Sequence, residues 1–375
     1  MNRRTFLKVG LALMALPTLA YSQTAHTGKE KHMKIITVEE HVLHPALAQA
    51  ALPATAAAAP YLRDWGSRVT DGADVADWSR PHIVAAPESM QLLFDMDAGR
   101  LQHMDAAGID MQVLSVGGAP QMAAMPQAAA LHRAANDAMA EAAAKHPGRF
   151  AAFATLPWQD TEAAVRELER AVKELGFKGA LINGRPDADF LDHPRFAPLL
   201  AAFSDLQVPL YVHPGLPVEA VRQAYYTGFD KEVDARLAMF GWGWHNEAGI
   251  QVLRMLLGGC FDRHPNLQVI SGHWGEMLPF YLQRLDDSLP QAATGLGRSL
   301  TQTYREQVYV TPSGMLTLPH FLFIRELMGS ERILYSIDYP YQSLDGARSW
   351  LENLPVSDAE KALIAHQNAQ KLLKL

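Results

Sequence analysis

Several carboxylates and imidazoles stand in this sequence where they can share one metal ion. Glu39 and His41 lie two apart in the run KIITVEEH, His213 ends VPLYVH, His273 ends LQVISGH and Asp338 ends RILYSID. Residues two apart in an extended strand project to one side, so Glu39 and His41 face together, whereas Glu40 faces the other way and is not expected to ligate. Imidazole nitrogens with carboxylate oxygens form a mixed donor set suited to zinc, manganese or iron(II), and poor for calcium or copper(I). A thiolate site is excluded, because the chain holds a single cysteine, Cys260. Its apolar setting, MLLGGCF, reads as that of a buried structural thiol.

Each of these side chains closes a short β-type run, and eight such runs are present: 34–41, 111–116, 150–156, 179–184, 208–213, 267–273, 307–312 and 332–338. Most are separated by amphipathic or Ala-rich helical stretches. One is TEAAVRELERAVKELGF, with Ala164, Leu168, Ala171 and Leu175 on one face and Gly176 marking its end. Eight strand–helix units point to a (β/α)₈ barrel, whose active sites lie at the C-terminal ends of the strands. A doubly wound sheet is the alternative, but no GxGxxG follows the first strand. Glu276, three residues beyond His273, is placed either to orient that imidazole or to serve as a carboxylate at a helix N-terminus.

The composition is globular, 49% hydrophobic and 19% charged, with a formal net charge of −7. That balance argues against nucleic acid and against a polybasic membrane surface as partners. The opening NRRTFLKVG, then LALMALPTLA and a polar stretch, has the form of a cleavable export signal of twin-arginine type, built on Arg3 and Arg4. The apolar segment is too short for a stable membrane anchor. Residues 1–32 are therefore expected to be signal and linker, residues 33–375 a single domain, and the periplasm the destination.

The segments VEEHVLHP, HMDAAGIDMQVLS, KHPGRFAAFATLP, ELGFKGALING, VPLYVHPGLP, FDRHPNLQVISGHWGEMLPF and RILYSIDYPY resemble the amidohydrolase superfamily. They resemble most its branch of aminocarboxymuconate-semialdehyde and hydroxybenzoate decarboxylases. The resemblance implies that Glu39, His41, His213 and Asp338 ligate the metal, with His273 beside it. Asn183 stands where two-metal members carry a carboxylated lysine, and Lys178 lies at the wrong end of that strand. One divalent ion per chain, zinc or manganese, is therefore expected.

The same resemblance implies non-oxidative decarboxylation of an aromatic or conjugated carboxylic acid. The metal would chelate the carboxylate and a neighbouring oxygen, and Asp338 or His273 would carry the proton. Arg284 matches a family arginine near substrate, or is a surface residue; Asn183 binds substrate or is a structural cap. A metal-activated water acting on a lactone, amide or ester is the rival chemistry, and a metal-stabilised binding protein without catalysis is a third class. Insertions after the first strand (42–87; Tyr61, Trp65, Trp78) and the fifth (214–245) are expected to form lids. The second brings Tyr225, Tyr226, Phe229, Phe240, Trp242 and Trp244 close to His213 in sequence. Such aromatics suit a flat small-molecule substrate, with Tyr226 a candidate contact, and also suit the interface of a homodimer or higher oligomer.

Overall fold

The computed structural model describes residues 33–375 apart from 73 and 76. The expected signal and linker, residues 1–32, lie outside the described residues. Strands β1 (Ile36–Val42), β2 (Met111–Val116) and β3 (Phe150–Ala152) pair in parallel, as do β4 (Ala180–Asn183), β5 (Leu210–His213), β6 (Val269–Ser271) and β7 (Val308–Val310). The two sets join through a bridge between Ala154 and Ala180. On the other side, Leu334 N–H donates to Val310 O and Val38 N–H to Tyr335 O, which closes a (β/α)₈ barrel.

The eighth expected strand, 332–338, departs from regular strand structure. It follows β7 for one bridge, at Ile333. Its end is then claimed by Glu40, whose carboxylate accepts from the N–H groups of Ile337 and Tyr339 at 3.1 and 3.3 Å. A side chain thus takes bonds that a neighbouring strand would otherwise make.

Period-two burial separates the core into two layers. Ile36, Val38, Met111, Val113, Ala151, Phe153, Leu181, Tyr211, Ile270, Tyr309 and Leu334 fill the barrel, joined by Ala369 and Leu373 of the C-terminal helix. Their strand neighbours, such as Leu114, Ala152, Ile182, Val212 and Val308, pack outward against the helices. Helix Thr161–Lys173 buries Ala164, Leu168 and Ala171, as its periodicity predicts. Cys260 is buried, and burial pushes its thiol up to about 11, as befits an inert structural position. No helix among the described residues is long and apolar enough to cross a membrane.

Candidate active site

A bulge in β1 aims the first two candidate ligands. Ile36 is level with Met111 and Thr37 with Gln112, but His41 is level with Ser115, so β1 holds one residue more than β2 over this stretch. Strict alternation from Ile36 and Val38 would carry Glu40 into the barrel. The extra residue reverses the phase, turning Glu39 and His41 inward and Glu40 aside. His213 at the end of β5 and Asp338 beyond the eighth segment complete the group, with one ligand atom from each within 4.8 Å of the others.

His41 Nε2 lies 3.1 Å from Asp338 Oδ1, and His213 Nε2 lies 3.6 Å from Glu39 Oε1. The rings are held from behind: His213 Nδ1–H donates to Pro214 O at 2.9 Å, which sets its tautomer, and His41 Nδ1 meets Ser115 Oγ at 3.1 Å. His213 Nε2 is left as a lone pair facing the group, and His41 Nε2 faces it as well. Burial, with His41 and His273 beside it, holds His213 well below its usual pKa, so it is a neutral donor. Glu39 Oε2 accepts from Thr311 at 3.3 Å, from Ser336 at 3.1 Å and from Ser313. Its other oxygen, Oε1, has no hydrogen-bond partner, nor do His41 Nε2 and Asp338 Oδ1, although all three are buried. Buried polar atoms without partners are costly. Three of them converging on one point, with nitrogen and oxygen lone pairs, fit a divalent cation. Burial pushes the Glu39 carboxyl above its usual range, with His273 working against that rise; a bound cation would reverse it.

His273 sits on strained backbone. Residues His273, Trp274, Gly275, Glu276 and Met277 have φ of 44°, 59°, 85°, 52° and 64°, a single left-handed turn. For residues other than glycine this costs about 1–2 kcal/mol each. Bonds from His273 N–H to Ser313 Oγ and from Trp274 N–H to Thr311 O hold it in place. Glu276 is one turn on from His273, as the spacing predicts, although the turn has the opposite hand. Its Oε1 accepts from His273 Nδ1 at 2.7 Å, and the role of a dipole-stabilised helix-start carboxylate is not needed to explain it. Burial opposes charge on His273, but the Glu276 carboxylate outweighs it and raises the imidazole to about 9. His273 Nε2 lies 3.9 Å from Asp338 Oδ2.

Above these groups is a cavity of roughly 630 Å³, lined from both insertions. Trp65, Phe240 and Trp244 wall it, as the aromatic loops predict, with Asn183, Tyr341 and Met315. Asn183 spends its amide N–H on Val116 O, and its side-chain oxygen is buried without a partner. Lys178 reaches Lys374 O at the opposite end of the barrel.

Two expected substrate contacts are not brought to the cavity. Tyr226 is buried with Tyr61 in the apolar cluster that backs the cavity wall at Met239, Phe240 and Trp244, and its hydroxyl accepts from Asn246. Arg284 lies two turns beyond Glu276, on the exposed face of helix Leu278–Ser288. Tyr225, Phe229, Trp242 and Trp78 are exposed. Sequence reasoning missed Gln121, Tyr341 and, most of all, His245. His245 ends the aromatic run GWGWH, but no spacing rule ties it to Glu276, 31 residues away.

The amidohydrolase family profile matches residues 68–375. The chain is 37% identical over 302 residues to the decarboxylase orsB of Emericella nidulans, an alignment covering 78% of this chain and 90% of that protein. It is 35% identical over 304 residues to a gamma-resorcylate decarboxylase of Polaromonas, covering 77% and 90%. Among solved structures, it resembles a dihydroxybenzoic acid decarboxylase from Polaromonas with bound manganese and the inhibitor 2-nitroresorcinol. That likeness has a TM-score of 0.76 and 32% identity, over 91% of this chain and 97% of the other.

Proposed function

The chain belongs to the amidohydrolase family, and on that footing we propose that it is a metal-dependent decarboxylase of an aromatic or conjugated carboxylic acid with a hydroxyl or carbonyl oxygen beside the carboxylate. The observation that carries this reading is the convergence of Glu39 Oε1, His41 Nε2 and Asp338 Oδ1, buried and without partners, under an aromatic-walled cavity. Glu39, His41, His213 and Asp338 would hold one divalent ion, zinc or manganese, which when bound supplies Lewis-acid and template chemistry for a chelating substrate.

The remaining work falls to side chains. Trp244, Phe240 and Tyr341 confine a flat ring and exclude water. A proton is delivered to the ring carbon that bears the carboxylate. The bond between that carbon and the carboxylate then breaks, its electron pair returns to the ring, and carbon dioxide leaves. Asp338 divides the task between its two oxygens: Oδ1 faces His41, and Oδ2 faces His273 Nε2. His273, held by Glu276, resupplies the proton to Asp338.

Residues 33–375 form the single catalytic domain, and residues 1–32 direct export of the folded enzyme to the periplasm by the twin-arginine route. The Arg3–Arg4 pair and the short apolar segment support that route. A homodimer or higher oligomer is supported by exposed Phe280, Tyr281, Leu322 and Phe323 on helices Leu278–Ser288 and Leu318–Met328.

The test is to incubate the zinc- or manganese-loaded protein with hydroxybenzoates, lactones and amides. Carbon dioxide release matched to loss of the acid is expected. Hydrolysis of a lactone or amide, with no carbon dioxide from any acid, would overturn the reading.

A further inference from the structure

We propose that His245 is a positioning residue of this site, holding the second oxygen of Glu276 so that Glu276 keeps His273 turned with Nδ1 protonated and Nε2 towards Asp338. His245 enters on helix Gly243–Leu257, at the end of the second insertion. Its Nδ1 lies 2.9 Å from Glu276 Oε2, and its Nε2 lies 3.0 Å from Phe240 O. A carbonyl oxygen only accepts, so Nε2 carries a hydrogen. The ionised carboxylate likewise takes a hydrogen from Nδ1, and His245 clamps the two elements from both nitrogens.

The Glu276 side chain is 0% exposed, and both its oxygens are taken, one by each imidazole. It therefore has no freedom to rotate away from His273. The two rings stand 4.4 Å apart between centroids, at 65°. Gly249, one turn after His245, permits this approach: a Cβ there would meet Glu276 O at 2.7 Å. Remove the His245 donor and a fully buried carboxylate oxygen is left unpaired, which favours a rotated Glu276 and a misaligned His273.

Two variants separate this role from simple packing. In His245→Asn the amide nitrogen stands in for Nδ1, and in His245→Gln it stands in for Nε2. The decarboxylation assay relies on the function proposed above. His245→Gln is expected to lower kcat by about 10- to 100-fold, with KM and bound metal per chain unchanged, and His245→Asn to recover most of that loss. In zinc-loaded, ¹⁵N-histidine-labelled protein, long-range ¹H–¹⁵N spectra followed with rising pH are expected to show the neutral form of His273 as the Nδ1–H tautomer in the wild type and in His245→Asn, but as a mixture of tautomers in His245→Gln. Equal activity loss in both variants, or an unchanged His273 pattern in His245→Gln, would overturn the proposal. The spectra need no substrate, so they decide the role of His245 even if no acid proves to be decarboxylated.

Discussion

Replacing Glu39 with glutamine removes one charge with almost no change of shape, and its effect on stability should reverse sign with metal. Glu39 is wholly buried; Oε2 receives three hydroxyls while Oε1 has none. In metal-free protein, burial pushes the carboxyl above its usual range, so the ionised form is disfavoured there. Glutamine keeps an oxygen for the hydroxyls and relieves that strain. Metal-free Glu39→Gln is therefore expected to melt at or above the wild type.

With metal the order inverts, because the amide NH₂ offers no lone pair where Oε1 stood. An ion at about 1,000 times its Kd stabilises the wild type by about 4 kcal/mol. Unfolding entropy near 2 cal/mol/K per residue, over roughly 340 residues, converts this to a rise of about 6 °C. A 100-fold weaker site at the same metal concentration is left with about 1.4 kcal/mol, or about 2 °C. Thermal melts in chelator and then in added manganese, with elemental analysis, measure both values. An equal metal-induced rise in the two proteins would refute Glu39 as a ligand. A metal-free variant several degrees less stable would refute the account of its burial.

Three further outcomes follow from the same geometry. A Cβ on Gly272 would lie 2.9 Å from Ser313 Oγ and 3.1 Å from Glu39 Oε1, so Gly272→Ala should cost about 1–3 kcal/mol and weaken metal retention in a dialysis assay; normal retention would count against the crowding. Arg100 is fully buried and donates to His41 O at 2.7 Å, to Gln112 and to Asp95 O. Arg100→Met should lower unfolding free energy by about 3 kcal/mol or more in denaturant titration, and a change within error would refute its role in anchoring β1. His132 is buried against Thr155, and burial lowers its pKa to about 3. The unfolded state takes up that proton near pH 6.5 and the folded state does not, so this contribution is complete above pH 6.5 and is lost as pH falls towards 3. Between pH 6.5 and 5 the loss is about 2 kcal/mol, and His132→Asn, which keeps a donor for Thr155, should flatten the acid limb by that amount.

The alternation of strands and helices, the parallel core and the ligand group were legible in the sequence. A buried β-run and a 3.6-residue helix each leave a local pattern, and four polar residues at strand ends interrupt that pattern in the same way. Local pattern has a limit, however. The (β/α)₈ frame implies that strand ends converge, but the facing of a side chain depends on the register between strands, which is a non-local quantity. Only the pairing of β1 with β2 reveals the bulge that sends Glu39 and His41 inward and leaves Glu40 to bind the backbone of residues 337–339. The left-handed turn at His273, and the arrival of His245 beside Glu276 from another element, are likewise invisible in any window of sequence. Arg284 stands exposed, as its surface reading has it, and Tyr226 is buried beside Tyr61, because the direction in which a helix turns its side chains is likewise set by packing. The sequence by itself determined which donor groups the chain can offer a metal; the tertiary structure decided which side chains face one another, because facing is set by register, packing and backbone hand.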